Sequence, residues 1–194
     1  MKHKPRIGAD IVVPFILLAL VFGGMLWQKY REAYQIPATP SVKHSTELAQ
    51  KIILMFGNEQ GQLVPEGREI DRCKEQTVCL KAILEELFSG PIGDLVDIFP
   101  EWTSIESVSL EGDLAVIDLG ADFVEGLTSG SSAEMLAVYG IVNTVSANFP
   151  EIKRVQIAIE GNRKAHLKHL DLSEPLSPDS KLEAPIAPSN KENR

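Results

Sequence analysis

The sequence predicts an α+β fold: a mixed, largely antiparallel sheet with two main helices, preceded by one transmembrane helix. Three observations predict it. Strand-length segments come in neighbouring pairs across Gly-containing turns, at 51–56 with 63–70 and at 105–110 with 114–119. Two longer stretches, 77–88 and 131–148, place apolar residues at helical spacing. Every residue of 11–27 is apolar, Gly or Pro. Hairpins interrupted by helices favour a layered sheet with helices packed against it.

The N-terminal run is about 17 residues long, the short end of what spans a bilayer. Pro14 lies in its first turn, where a helix tolerates proline. Trp27 and Tyr30 beside Lys29 and Arg31 suit a headgroup boundary, and Lys2, Lys4 and Arg6 favour a cytoplasmic N-terminus. An uncleaved anchor and a cleaved signal peptide both fit this pattern. The poor cleavage signal around Val21, Phe22, Gly23 and Gly24 and the absence of a following lipobox Cys favour the anchor. Either one exports the rest of the chain. The expected organisation is a short cytoplasmic N-terminus at 1–10, a transmembrane helix at 11–28 and a Pro- and Ser-containing stalk at 29–45. A domain at 46–174 and a disordered tail at 175–194 complete it. The expected location is the cytoplasmic (inner) membrane, single-pass, with the domain on the extracytoplasmic side.

Within the domain, the strand that opens at Lys51 continues as an unbroken apolar run of Ile52, Ile53, Leu54, Met55 and Phe56, the pattern of a strand covered on both faces. Pro65 marks the strand at 63–70 as an edge. Leu80, Ile83, Leu84, Leu87 and Phe88 form one helical stripe, closed by Gly90 and Pro91. A loop at 92–103 comes next, in which Trp102 is expected to cover the core. The hairpin at 105–119 turns through Glu111, Gly112 and Asp113. Ser131 and Glu134 match a capping box, and Val138, Ile141, Val142, Val145 and Phe149 make the buried face of the helix behind it. A strand at 155–159, a turn at Gly161 and Asn162, and a short last strand at 167–172 finish the unit. Pro175, Pro178, Pro185 and Pro188 predict the disordered end.

These blocks, in this order, resemble the GerMN domain of sporulation and spore-germination proteins. Leu63-Val64-Pro65-Glu66-Gly67-Arg68-Glu69-Ile70 is similar to the family's L-V-P-x-x-R-E segment, and Leu87-Phe88-Ser89-Gly90-Pro91 to its L-L-x-G-P. Val116-Ile117-Asp118-Leu119 is similar to V-x-V-D-F-S. Gly130-Ser131-Ser132-Ala133-Glu134 resembles G-S-x-x-E, and Ile141-Val142-Asn143-Thr144-Val145 resembles I-V-N-T-L. Val155 to Gly161 and His169 to Leu176, with Asp171, close the match. The resemblance implies a noncatalytic, exported module that assembles or bridges envelope complexes. This chain departs from it in carrying an apolar anchor in place of a lipidated Cys, and one unit where some members have two. Arg68, Gly90, Pro91, Asp118, Ser131, Glu134, Asn143, Gly161, His169 and Asp171 then read as structural positions. Arg68 is expected to pair with Asp118 or Glu134, and Asn143 to satisfy a loop backbone. Gly90 and Gly161 suit positive φ.

Cys73 and Cys79, the chain's two cysteines, are expected to form a disulfide in an oxidising compartment, with Cys73 outside the helix; two reduced thiols are the alternative. His166, His169 and Asp171 do not converge on one ion if they lie on a strand, so no metal is expected. Nucleophile elbow, phosphate loop and dinucleotide fingerprint are all missing from the sequence, and no cofactor or enzymatic activity is expected. A net charge of −8, from 19 Lys and Arg against 27 Asp and Glu, disfavours nucleic acid. The expected function is a membrane-anchored interaction module with an envelope protein partner. A cell-wall glycan- or peptide-binding domain, and then an envelope hydrolase, are the alternatives.

Overall fold

The computed structural model describes residues 49–185. The expected membrane helix and stalk, and the tail from 186 onward, lie outside the described residues. No helix among the described residues is long and apolar enough to cross a membrane.

Strands β1 (Ala49–Gly57) and β2 (Leu63–Asp71) pair antiparallel over their full length, from Ala49 opposite Asp71 to Gly57 opposite Leu63. Asn58 shapes the turn between them. Its side-chain oxygen accepts from the amides of Gln60 (3.0 Å) and Gln62 (2.9 Å), and Gly61 takes the positive φ of 72° that closes the loop. Helix α1 (Gln76–Phe88) buries Leu80, Ile83, Leu84 and Leu87, the stripe read from its sequence. A second sheet holds β3 (Ile105–Glu111), β4 (Leu114–Leu119) and β5 (Arg154–Ile159) in the order β3-β4-β5. The first pair is antiparallel and the second parallel. The turn between β3 and β4 is Gly112-Asp113 alone, one residue shorter than expected, because Glu111 pairs with Leu114 and Gly112 supplies a φ of 67°. Between β4 and β5 run α2 (Ala121–Gly126) and α3 (Ser131–Asn148), the crossover that parallel strands require. The architecture is α+β with antiparallel and mixed pairing, its strands divided between two sheets, with three helices.

The core lies between the sheets and the helices, where Phe56, Leu84, Ile117, Phe123, Ile141 and Val145 are buried together. Helix α3 also closes the outer edge of β1. Thr144 Oγ1 accepts from the Met55 amide at 3.0 Å, Asn148 Oδ1 accepts from the Ile53 amide at 3.0 Å, and Asn148 Nδ2 donates to the Ile53 carbonyl at 2.6 Å. Gly140, one turn earlier, lets the helix approach: a Cβ there would meet Ile98 Cδ1 at 2.9 Å and Phe99 Cζ at 3.0 Å. Gly140, Thr144 and Asn148 lie four apart, on one face.

Three expectations change here. Residues 167–172 form a tight turn, with the Leu167 amide on the Leu170 carbonyl (2.8 Å) and the Leu172 amide on the Ala165 carbonyl (3.0 Å), and not a strand. The turn lets both Leu167 and Leu172 reach the core, which an extended segment would not. Trp102 is 81% exposed, and Phe99 covers the core in its place. Residues 175–185, expected in the tail, are ordered against the domain. Leu176 exchanges two 2.8 Å backbone hydrogen bonds with Val155, a 3-10 turn spans Ser180–Leu182, and the Ala184 amide donates to the Leu63 carbonyl at 2.8 Å.

Candidate interaction surface

The residues singled out in the sequence fall into separate groups, and one of them builds a surface. Arg68 is only 8% exposed and projects from β2 under the C-terminus of α1. Its Nε donates to Glu66 Oε1 at 2.7 Å, and its Nη1 to Glu86 Oε1 at 2.9 Å and the Glu86 carbonyl at 3.2 Å. Nη2 donates to the Gly90 carbonyl, and the guanidinium sits 5.3 Å from the centre of the Phe56 ring. A cation on the last carbonyls of a helix is favourably placed against its dipole. The expected pairing with Asp118 or Glu134 is therefore corrected: position 66 shares the face of position 68 on a strand, and Glu86 arrives from the helix above. Gly90, at φ 84°, ends the helix and Pro91 leads the chain away.

Glu66 carries this clamp one step further. Its carboxylate accepts from the amides of Ile92 (3.2 Å) and Gly93 (3.5 Å). Burial alone would push its pKa up, but the hydrogen bonds from Arg68, Ile92 and Gly93 outweigh that and hold it below the ordinary value. The loop 90–103 that begins here is fixed at several further points. Gly57 and Val96 exchange backbone hydrogen bonds of 3.0 and 2.8 Å. Phe99 packs edge-to-face on Phe88, with ring centres 5.2 Å apart, and on Phe56 at 6.4 Å. Thr103 donates its amide (3.3 Å) and hydroxyl (3.0 Å) to the Pro100 carbonyl, and Asp122 of α2 holds the Ser104 amide at 2.7 Å. So anchored, the loop presents Ile92 at 79% exposure and Trp102 at 81%, with Val96 also exposed. Beneath its 96–100 segment, against 126–136, lies a cavity of about 220 Å³.

Sequence reasoning missed this surface. Its residues were visible, but loop apolar residues have no period from which exposure can be read.

The other motif positions hold the fold elsewhere. Glu134, 2% exposed, accepts from the His169 amide (2.9 Å) and from His169 Nδ1 (2.8 Å), which must carry the proton to donate. Burial favours its neutral form, yet the His169 side-chain and backbone bonds prevail and lower its pKa. No capping box forms: Ser131 is the first, exposed residue of α3 with no side-chain cap bond at this end, because Glu134 turns to His169 instead. Asp171 meets His166 at 3.2 Å and accepts from the Ser173 amide at 2.8 Å. Asp118 Oδ1 accepts from the Gly161 amide at 2.8 Å, with Gly161 at φ 78°. Asn143 bonds the Asp179 backbone in both directions, at 3.0 and 3.1 Å, and donates to Glu183 at 2.8 Å. Cys73 and Cys79 are joined in a disulfide, with Cys73 before the helix and Cys79 within its first turn. Among the described residues no group of three or more His, Cys, Asp or Glu is placed to hold a metal ion.

What the geometry defines is an α+β domain with a rigidly held apolar loop on its surface. The chain belongs to the Germane family, described as sporulation and spore germination, whose model matches residues 53–165. Its fold is similar to the tandem GerMN domains of the sporulation protein GerM from Bacillus subtilis, with a TM-score of 0.59 and 21% identity. That alignment covers 76% of this chain and 51% of the tandem chain, so this chain spans about half its length. The first GerMN domain of the same protein aligns with a TM-score of 0.47 and 19% identity, over 67% of this chain and 96% of that one. No curated protein matches the chain.

Proposed function

We propose that this protein is a membrane-anchored, extracytoplasmic, noncatalytic interaction module that helps assemble or bridge a cell-envelope complex. The observation that carries the reading is the anchored loop 90–103, which holds Ile92 and Trp102 out in solvent. A large aromatic side chain in water, on a backbone pinned by Arg68, Glu66 and Phe99, resembles a preorganised anchor for a partner. Ile92 and Val96 are the other exposed large apolar residues of the loop and Trp102 is its one exposed aromatic, which favours a protein surface over a sugar platform. The apolar run at 11–27 and the Cys73–Cys79 disulfide support an exported domain tethered to the inner membrane.

Crosslinking of the full chain in intact cells, followed by mass spectrometry, tests the proposal. The expected result is a specific protein adduct lost when Trp102 is replaced by Ser. Recovery of peptidoglycan fragments alone would end the reading.

A further inference from the structure

The cavity beneath the loop says what kind of segment the partner brings. Val96, Phe99, Pro100, Gly126, Leu127 and Leu136 form most of its wall, so its lining is largely apolar. At about 220 Å³ it falls short of the roughly 300–1,000 Å³ of small-molecule sites and suits a single anchoring side chain. The wall is tightly built. A Cβ at Gly126 would come within 2.6 Å of Pro100, so the end of α2 touches the loop directly.

Asp97 is the one charged residue of the wall, and the loop that supplies half of the lining is acidic in sequence. Residues 90–103 contain Asp94, Asp97 and Glu101 and no Lys, Arg or His, and α2 adds Asp122 and Glu125. Two of these carboxylates serve the loop itself: Asp97 accepts from the Phe99 amide (3.0 Å), and Asp122 accepts from Ser104 (2.7 and 2.9 Å). Asp94 and Glu101, within two positions of the lining residues Val96 and Pro100, are exposed and make no ion pair among the described residues, whereas Glu125 faces a separate hollow with Ala121, Ile159 and His166. One cation comes close, since Lys168 donates to Ser129 Oγ at 2.9 Å, one residue after Thr128 of the wall. Carboxylates without an ion-pair partner on the loop that walls an apolar cavity complement a cationic segment and repel an anionic one.

We propose that this cavity takes an apolar anchor side chain from a segment of the partner protein that carries Lys or Arg beside it, with Asp94 and Glu101 receiving the cations. The inference rests on the reading of the domain as an interaction module. It also makes Trp102, next to Glu101, a face over which an arginine can stack.

The test places a photo-crosslinking residue, p-benzoylphenylalanine, at Thr128 on the exposed rim of the cavity in the full chain, with irradiation of intact cells and mapping of the adducted peptide. Control positions that are exposed and do not line the cavity, at Ser109 and Lys153, are run in parallel. The expected adduct is a protein segment with at least two Lys or Arg flanking an apolar residue. Its yield is expected to fall about tenfold in the double variant Asp94→Lys, Glu101→Lys, the equivalent of about 1.4 kcal/mol. It should fall similarly in Ala133→Phe, which fills the cavity. Thermal melts establish that the variants are folded; if Ala133→Phe is not, the charge-reversed variant decides alone. An adduct unchanged by charge reversal, or mapped to a segment without cations, overturns the proposal. So does a protein captured only from Ser109 or Lys153, an outcome that leaves the module reading intact. No protein adduct from any of the three positions removes both.

Discussion

Glu134 is a buried carboxylate that shares its two oxygens between the His169 ring and the His169 backbone. Its pKa in the fold lies below the ordinary 4.5, because the hydrogen bonds to the charged form outweigh the cost of burial. A carboxyl depressed by folding binds fewer protons in the native state than in the unfolded one. Its contribution is therefore fully present above pH 4.5 and is lost as pH falls through the lower, folded value. Glu66 and Asp171 are shifted in the same direction and add to the same loss. Thermal unfolding followed by circular dichroism from pH 7 to pH 3 should show Glu134→Gln less stable than the parent at neutral pH, with the gap closing below pH 4.5. A gap of constant size across the range would contradict this account. The pairing of Glu134 with His169 was only half legible. Position 134 looked like a helix cap because its spacing from Ser131 is right. Its true partner lies 35 residues away, across a turn whose shape no local pattern encodes. Arg68 shows the same boundary. Glu66, two positions away on the same strand face, was within reach of sequence logic, whereas Glu86 belongs to another element.

Among elements, helix α3 and strand β1 make the most consequential contact, since polar side chains of one complete the backbone hydrogen bonding of the other. An open strand edge is an invitation to pair with another chain, and here the helix occupies it. Thr144→Val keeps the shape of the side chain but leaves the buried Met55 amide without an acceptor. It should cost about 1–3 kcal/mol in denaturant-unfolding free energy. Thr144→Ser, which keeps the hydroxyl, should recover most of that. A valine variant as stable as the parent would show that the hydroxyl is not what matters. The existence and type of α1, α3 and the paired strands were readable from the spacing of their apolar residues and the turn residues between them, though the strand ends moved by a residue or two. Helix α2 was not, since six residues are too few to display one. Nor was the role of Thr144 and Asn148, because two polar residues in an apolar helix announce a partner without saying which strand it is.

At the scale of the whole domain, the folded unit ends later than composition suggests. Four prolines among Ser, Lys and Glu after position 174 read as an unstructured tail. Yet Leu176 pairs with β5, Asn143 grips the turn at Asp179, and Ala184 reaches β2. Low hydrophobicity argues against a segment building its own core, but it says nothing of a segment that lies on someone else's. A chain truncated after Glu174 should therefore melt several degrees below one truncated after Pro185, and the latter should match the full chain. Equal melting temperatures for the two truncations would mean that these contacts contribute nothing to stability.

The Cys73–Cys79 bridge spans a separation of six residues in a chain that holds two cysteines. A loop that short keeps its two sulfurs at an effective concentration in the millimolar range, well above that of thiols on other chains. With two cysteines there is also only one bond to make within the molecule, so no wrong bridge exists to be undone. In an oxidising compartment, biogenesis of this domain can then close its covalent staple as soon as both residues have emerged, without a reshuffling step and without waiting for the distant strands to arrive.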